Sequence, residues 1–269
     1  MNISWWCTTI TEPWSWTFRA YPGIWLVVGL LIFGYFWALR RNRDVDDLSN
    51  RRVAFFLAGV VVFWVASDWP LGTLGAGYLA SAHMVQYILY VLVAAPLLWL
   101  GTPEWMARRV LASTGVYRRG RSLSRFPLVT GVFFNVTLIL THTPIAVDGL
   151  RSSQFGSFAM DAIWLLSGLA LWAPIVGSLE EFRARSYPAR MLYLFFTTGI
   201  VTIIPASFLT FAELPLYETY ELAPRVFGLS SVDDQQIAGL VMKLSAIPIV
   251  WPVLAAMMYR WAILERSSA

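Results

Sequence analysis

Apolar residues fall along this chain in long unbroken runs. They show neither the alternation of a half-buried strand nor the one-sided stripe of a soluble helix. Seven runs are of spanning length, at 21–39, 53–69, 79–100, 126–145, 158–178, 191–211 and 236–259. A bilayer core needs about 20 apolar residues in a helix, and without water to satisfy the backbone such runs must be helical. The pattern predicts an all-α integral membrane protein, a seven-transmembrane-helix bundle in one membrane domain over residues 21–262. A tail at 1–20 precedes it and a tail at 263–269 follows. No repeat or low-complexity segment interrupts the series.

The polar gaps between the runs differ in charge, and this sets an expected orientation. Sixteen arginines fall in alternate gaps: Arg40, Arg41, Arg43, Arg51 and Arg52; Arg108, Arg109, Arg118, Arg119, Arg121 and Arg125; Arg183, Arg185 and Arg190; Arg260 and Arg266. The opposite gaps hold only three, Arg19, Arg151 and Arg225. Positive residues accumulate on the cytoplasmic side, so the N-terminus is expected outside and the C-terminus in the cytoplasm. An odd number of spans agrees. The outer side is then periplasmic or exoplasmic.

Composition supports this reading. The chain is 58% hydrophobic and 13% charged, with a mean hydropathy of +0.60, where soluble domains carry about 25% charged residues. The net charge of +4 is a topology signal, so no nucleic-acid partner is expected. A single cysteine, Cys7, excludes a disulfide within one chain and reads as a small apolar residue. The tail reads as an interfacial tryptophan cluster of Trp5, Trp6, Trp14 and Trp16.

Chemistry gathers near the only two histidines. His83 opens the third run and His142 closes the fourth, which places both near the outer surface at one depth. The third and fourth spans are expected to pack as antiparallel neighbours. His83, Tyr87, Tyr90 and Ala94 share a helix face, with Met84 and Gln86 on either side. On the last span Gln235 and Met242 align, with Gly239 between them. Histidine, methionine and an acidic residue at the outer face can bind a transition metal, imidazole with thioether being the soft set suited to copper(I), and a histidine within a span is itself a functional pointer. Lys243, about two turns inside the last span, must snorkel or pair. Asp161 is the acid at similar depth, with Asp68 and Asp234 as interfacial alternatives. Nucleophile-elbow, phosphate-loop and paired-carboxylate patterns are absent, and no enzyme activity is expected.

Ser81-Ala82-His83-Met84-Val85-Gln86, with Ala94-Ala95-Pro96-Leu97-Leu98-Trp99-Leu100-Gly101-Thr102-Pro103 following, resembles the signature of the CtaG family of cytochrome c oxidase assembly proteins. His142-Thr143-Pro144 is similar to its second motif. Asp234-Gln235-Gln236-Ile237-Ala238-Gly239-Leu240-Val241-Met242 is similar to its third. The resemblance covers roughly residues 20–262. It implies assembly of a haem–copper oxidase, with copper delivery to an oxidase subunit as the role. The metal residues it implies are His83, His142 and Met242, with Met84 and Asp234 nearby. Two positions depart from the pattern. Tyr87 stands in place of a second histidine, and Lys243 stands where an apolar or aromatic residue is usual. The departures set a second expectation: a metal-free accessory subunit of a larger respiratory or photosynthetic membrane complex on the same scaffold.

Overall fold

The computed structural model describes residues 4–42, 49–113, 127–184 and 186–268. Arg43, Arg118, Arg119, Arg121, Arg125 and Arg185 of the charge pattern, and Phe126 at the start of the fourth run, lie outside the described residues. The described chain is all-helical. Six helices are long and apolar enough to cross a membrane, or seven if a pair bent by 71° counts as one span.

Helix α1 is Pro22–Arg41 and α2 is Asn50–Ser67. A short helix, α3 (Leu71–Gly77), fills what reads as an outer loop. The third span is composite: α4 (Ala80–Ile88), a π-helical turn at Leu89–Ala94, and α5 (Ala95–Gly101). Pro96 explains the π turn. In the wider i→i+5 register the Val91 carbonyl would bond to residue 96, which has no N–H. Trp172 Nε1 donates to that carbonyl instead, at 2.9 Å. Helix α6 (Glu104–Ser113) follows at the far end of the bundle, where Arg108 pairs with both Glu104 and Glu181.

Helix α7 is Pro127–Thr141, α8 is Pro144–Arg151 and α9 is Gln154–Val176. The fourth run therefore breaks at Thr141 and resumes as a bent helix. Thr143 caps α8, accepting from the Ala146 N–H, and Pro144 opens it, an arrangement that starts a new helix. The sixth span joins α10 (Tyr187–Phe195), a π turn at Phe196–Ile200 and α11 (Ile203–Phe211). A single turn of helix, α12 (Glu218–Glu221), lies in the longest connection. The last span joins α13 (Ser231–Leu244) to α14 (Ala246–Ser268).

The third span is the centre of the bundle. Of its most apolar window 61% is buried, against 17% for α1. It packs on α2, α9 and α13. Gly168 of α9 permits one close approach, since a Cβ there would lie 2.8 Å from Val91 Cα, and Gly101 permits a closer one against the Phe56 backbone of α2. The expected pairing of the third and fourth spans along their length is not found. Helix α9 stands between them and packs on both. The connection that was expected to force adjacency contains α6, and so is long enough to let the two spans separate.

The tail is packed at its start and exposed further on, with Trp16 62% exposed. Trp6 and Cys7 are each 1% exposed. The tail face, as we call this end of the bundle, carries residues 4–21, α3, α8 and the connection 212–230.

Candidate functional site: a buried histidine pair

The tail face holds the chain's two histidines in contact. Their ring centroids are 5.8 Å apart in an edge-to-face arrangement. His83 is fully buried on the first turns of α4, and His142 is 6% exposed in the break between α7 and α8. The break brings them together. Had α7 continued straight, residue 142 would follow its axis instead of sitting at the corner.

Hydrogen bonds fix the tautomer of both rings. His142 Nδ1 lies 2.8 Å from the Leu138 carbonyl. A carbonyl only accepts, so Nδ1 carries the proton. The Tyr220 hydroxyl donates its one proton to the Gly75 carbonyl at 2.6 Å. Its oxygen is therefore the acceptor for His83 Nδ1, 2.8 Å away. Each imidazole is the Nδ1–H form with its lone pair on Nε2. Both Nε2 atoms are buried with no hydrogen-bond partner. A second nitrogen tied to a carbonyl or similar acceptor is the arrangement that orients metal-ligating histidines.

Aromatic walls hold the pair. Trp164 of α9 stacks on His142 at 5.6 Å and meets His83 edge-on at 4.7 Å. Its Nε1 donates to Thr141 at 3.0 Å, which fixes the ring. Tyr87, one turn after His83, packs edge-on against His142 at 4.7 Å, with its hydroxyl buried and unpartnered. Tyr217 donates to the His142 backbone carbonyl at 2.9 Å. Burial holds the Tyr217 and Tyr220 phenols well above the ordinary tyrosine range, so both stay protonated.

Behind Trp164 lies an ion pair that sequence reasoning did not find. Arg151 and Asp161 are 3.1 Å apart and essentially fully buried. The guanidinium sits 5.2 Å over the Trp164 ring. The tail closes over this pair. Trp6 Nε1 donates to Asp161 Oδ2 at 2.9 Å, and the Thr8 hydroxyl and Thr9 N–H both donate to the Arg151 carbonyl. Arg151, read above as a loop arginine, is an interior one. The pairing expected between Lys243 and Asp161, Asp68 or Asp234 is corrected accordingly. Asp161 belongs to Arg151. Asp68 accepts from Trp25, Trp64 and the Trp69 backbone. Lys243 is exposed on α13, and no ion pair to it is found among the described residues.

The remaining candidate ligands lie on α4 and α13. Met84 is fully buried and leaves α4 about 100° round from His83. Met242 is 2% exposed on α13, which packs on α4. Asp234 is committed elsewhere. Its carboxylate accepts from the Ala80 and Ser81 N–H groups and the Ser81 hydroxyl. Leu79, at the cap position of α4, supplies no side-chain bond, and Asp234 does so from another helix. Cys7 donates weakly to the Ser67 carbonyl, and burial pushes its thiol up, so it stays an inert core residue. Among the described residues no group of three histidine, cysteine or acidic side chains gathers at one point.

Fold and site together define a multi-pass helical membrane protein built around one buried histidine pair at one end of its bundle. The family model for the cytochrome c oxidase caa3 assembly factor, Caa3_CtaG, matches residues 33–263. The chain belongs to that family. It is also similar to an uncharacterized protein of Mycobacterium bovis and to one of Mycobacterium tuberculosis. Each is 22% identical over 258 residues, covering 89% of this chain and 38% of the relative. The chain thus spans well under half the length of these curated relatives. No solved structure matches.

Proposed function

We propose that this chain is a non-catalytic assembly factor for a haem–copper oxidase in a bacterial plasma membrane, and that copper(I), as cargo, is held by His83 and His142. The observation that carries this reading is the matched pair of orphaned Nε2 lone pairs. Imidazole nitrogens bind a metal at about 2 Å, which puts the ring centroids of two ligands at most about 6 Å apart. The 5.8 Å separation fits that limit. Neutral imidazole is a competent copper ligand, and the buried thioethers of Met84 and Met242 suit the soft cuprous ion. The arginine distribution supports the tail face as the outer, periplasmic one, with the C-terminus cytoplasmic. The partners are then the lipid bilayer and oxidase subunits.

The second reading, a metal-free accessory subunit of a larger membrane complex, is favoured by Tyr87. Its phenol packs on His142 where the family pattern has a histidine, and phenol is a poor copper(I) ligand. Arg151, a fixed cation one ring away, also opposes a bound cation. Copper(I) titration of the purified protein under reducing conditions decides between them. The expected result is one copper per chain, abolished in both His83→Ala and His142→Ala. Copper at background in the parent protein selects the accessory-subunit reading.

A further inference from the structure

Neither histidine is open to the outside as the structure stands, so cargo cannot reach Nε2 unless something moves. Two segments cover the site. The tail lies over the Arg151–Asp161 pair, one ring removed from the histidines. The 212–230 connection touches both histidines directly. Tyr220 accepts from His83 Nδ1 and ties to Gly75 of α3, while Tyr217 bonds to the His142 carbonyl at the α7–α8 corner. The two phenols, three residues apart, pack edge-to-face at 5.9 Å. One short stretch therefore bridges the two elements that carry the pair.

From outside the site the stretch is held by few hydrogen bonds, and beyond α12 by Val226, buried against Leu74, Tyr78, Leu79 and Ala82. The Asp148 carboxylate accepts from the N–H groups of Glu218 and Thr219 at 3.2 and 2.9 Å. Gln235 clasps the Leu214 carbonyl and the Leu216 N–H. Beyond α12 the chain turns through two consecutive left-handed residues, Phe227 (φ 57°) and Gly228 (φ 72°). Local segments with few anchoring bonds open independently of the core.

We infer that residues 212–230 form a door over the histidine pair, with Tyr217 and Tyr220 as positioning residues that set the rings when it is shut and free them when it opens. The inference deepens the copper reading, and its test needs no copper. Diethyl pyrocarbonate acylates the lone-pair nitrogen of neutral imidazole, and its histidine product is read at 240 nm. The chain has only two histidines. In the detergent-purified parent both should react slowly. Asp148→Ala removes an acceptor for two backbone donors without touching the site, and should speed modification of both histidines by about tenfold or more. Gln154→Ala removes one anchor of the tail, whose Trp5 N–H bonds to Gln154 Oε1 at 2.7 Å, and should leave the rate unchanged. Tyr220→Phe should speed His83 over His142, and Tyr220→Gln, which keeps a polar side chain on the door and adds no histidine, should partly restore the slow rate. Circular dichroism and size exclusion confirm that each variant is folded. Fast reaction in the parent, or acceleration by Gln154→Ala but not by Asp148→Ala, would overturn the door. Slow reaction in every folded variant would overturn it equally. If the door holds and copper titration finds none, the copper reading alone fails.

Discussion

Asp234 separates a ligand role from a scaffold role, and its removal has a calculable consequence. Helix α4 carries His83 in its first turns, where backbone N–H groups lack intrahelical partners. Leu79 cannot cap it, and the Asp234 carboxylate, from α13, takes the Ala80 N–H at 2.6 Å, the Ser81 N–H at 3.2 Å and the Ser81 hydroxyl. Hydrogen bonds to a charged group contribute roughly 1.5–3 kcal/mol each. The three share one acceptor and do not add, and the helix dipole term of up to ~2 kcal/mol overlaps with them. Asp234→Ala should therefore destabilise the fold by about 3–5 kcal/mol, since it also leaves the fully buried Ala80 N–H without a partner. For a chain of this size that is a fall in Tm on the order of 10 °C. Asp234→Asn keeps an acceptor but loses the charge, and should lose about half as much. Tryptophan-fluorescence thermal unfolding in one detergent gives the comparison, with copper(I) affinity measured on the same samples well below Tm. A variant as stable as the parent but unable to bind copper would refute the clamp and make Asp234 a ligand.

Other substitutions probe the rest of the site. Tyr87→His should bring a third imidazole against His142 and tighten copper(I) binding by about 1.4 kcal/mol or more, tenfold in affinity, as read by competition with a chromophoric chelator; unchanged affinity would mean that position 87 does not reach the metal. Asp161→Asn strands the Arg151 charge in the interior and should cost about 3–5 kcal/mol of stability. The apolar double replacement Arg151→Met with Asp161→Leu should recover most of that loss in the same thermal assay, and equal damage in single and double variants would show that the pair's charge balance is not what matters.

The fold was more legible in the sequence than the site. Five of the seven apolar runs match helices to within about four residues at each end, because backbone satisfaction in lipid leaves the chain little choice. The fourth is broken at Thr141, and the last helix runs on to Ser268. His83 and His142 stood out because a titratable residue at a span end is rare. What escaped is what hydropathy does not encode. The break after Thr141 had a signal in Thr143-Pro144, a capping residue followed by a first-turn proline, but the apolar count runs straight across it. Arg151 counts as a loop charge in any gap-by-gap tally. Only the bent helix turns it inward, onto Asp161, and so Lys243 was given a partner already taken. Ser157, Asp161 and Trp164 repeat at i, i+4 and i+7 along α9, which hinted at a polar inner face. The roles of Tyr217 and Tyr220 had no local signal, since their partners lie 75 and 137 residues away or more.

The ion pair makes sense once the rings are considered together. Burying Arg151 and Asp161 in a membrane bundle brings little stability of itself. What the pair does is add a buried tie among the tail, α8 and α9, the tail and α9 also meeting through Gln154 and Phe158. The tail binds it through Trp6, Thr8 and Thr9; α8 and α9 each supply one partner; Trp164 lies under the guanidinium and against both histidines. Fixing Trp164 fixes the distance between two imidazoles whose protons are already assigned by Leu138 and Tyr220. The result is two buried Nε2 lone pairs, each without a donor, on rings whose centroids are 5.8 Å apart. An unmet buried acceptor costs about 1–3 kcal/mol. A cation between the rings removes both penalties at once, whereas a single hydrogen-bond donor such as the nearby Tyr87 hydroxyl can meet only one. The two orphaned nitrogens are the feature on which the proposed copper reading rests.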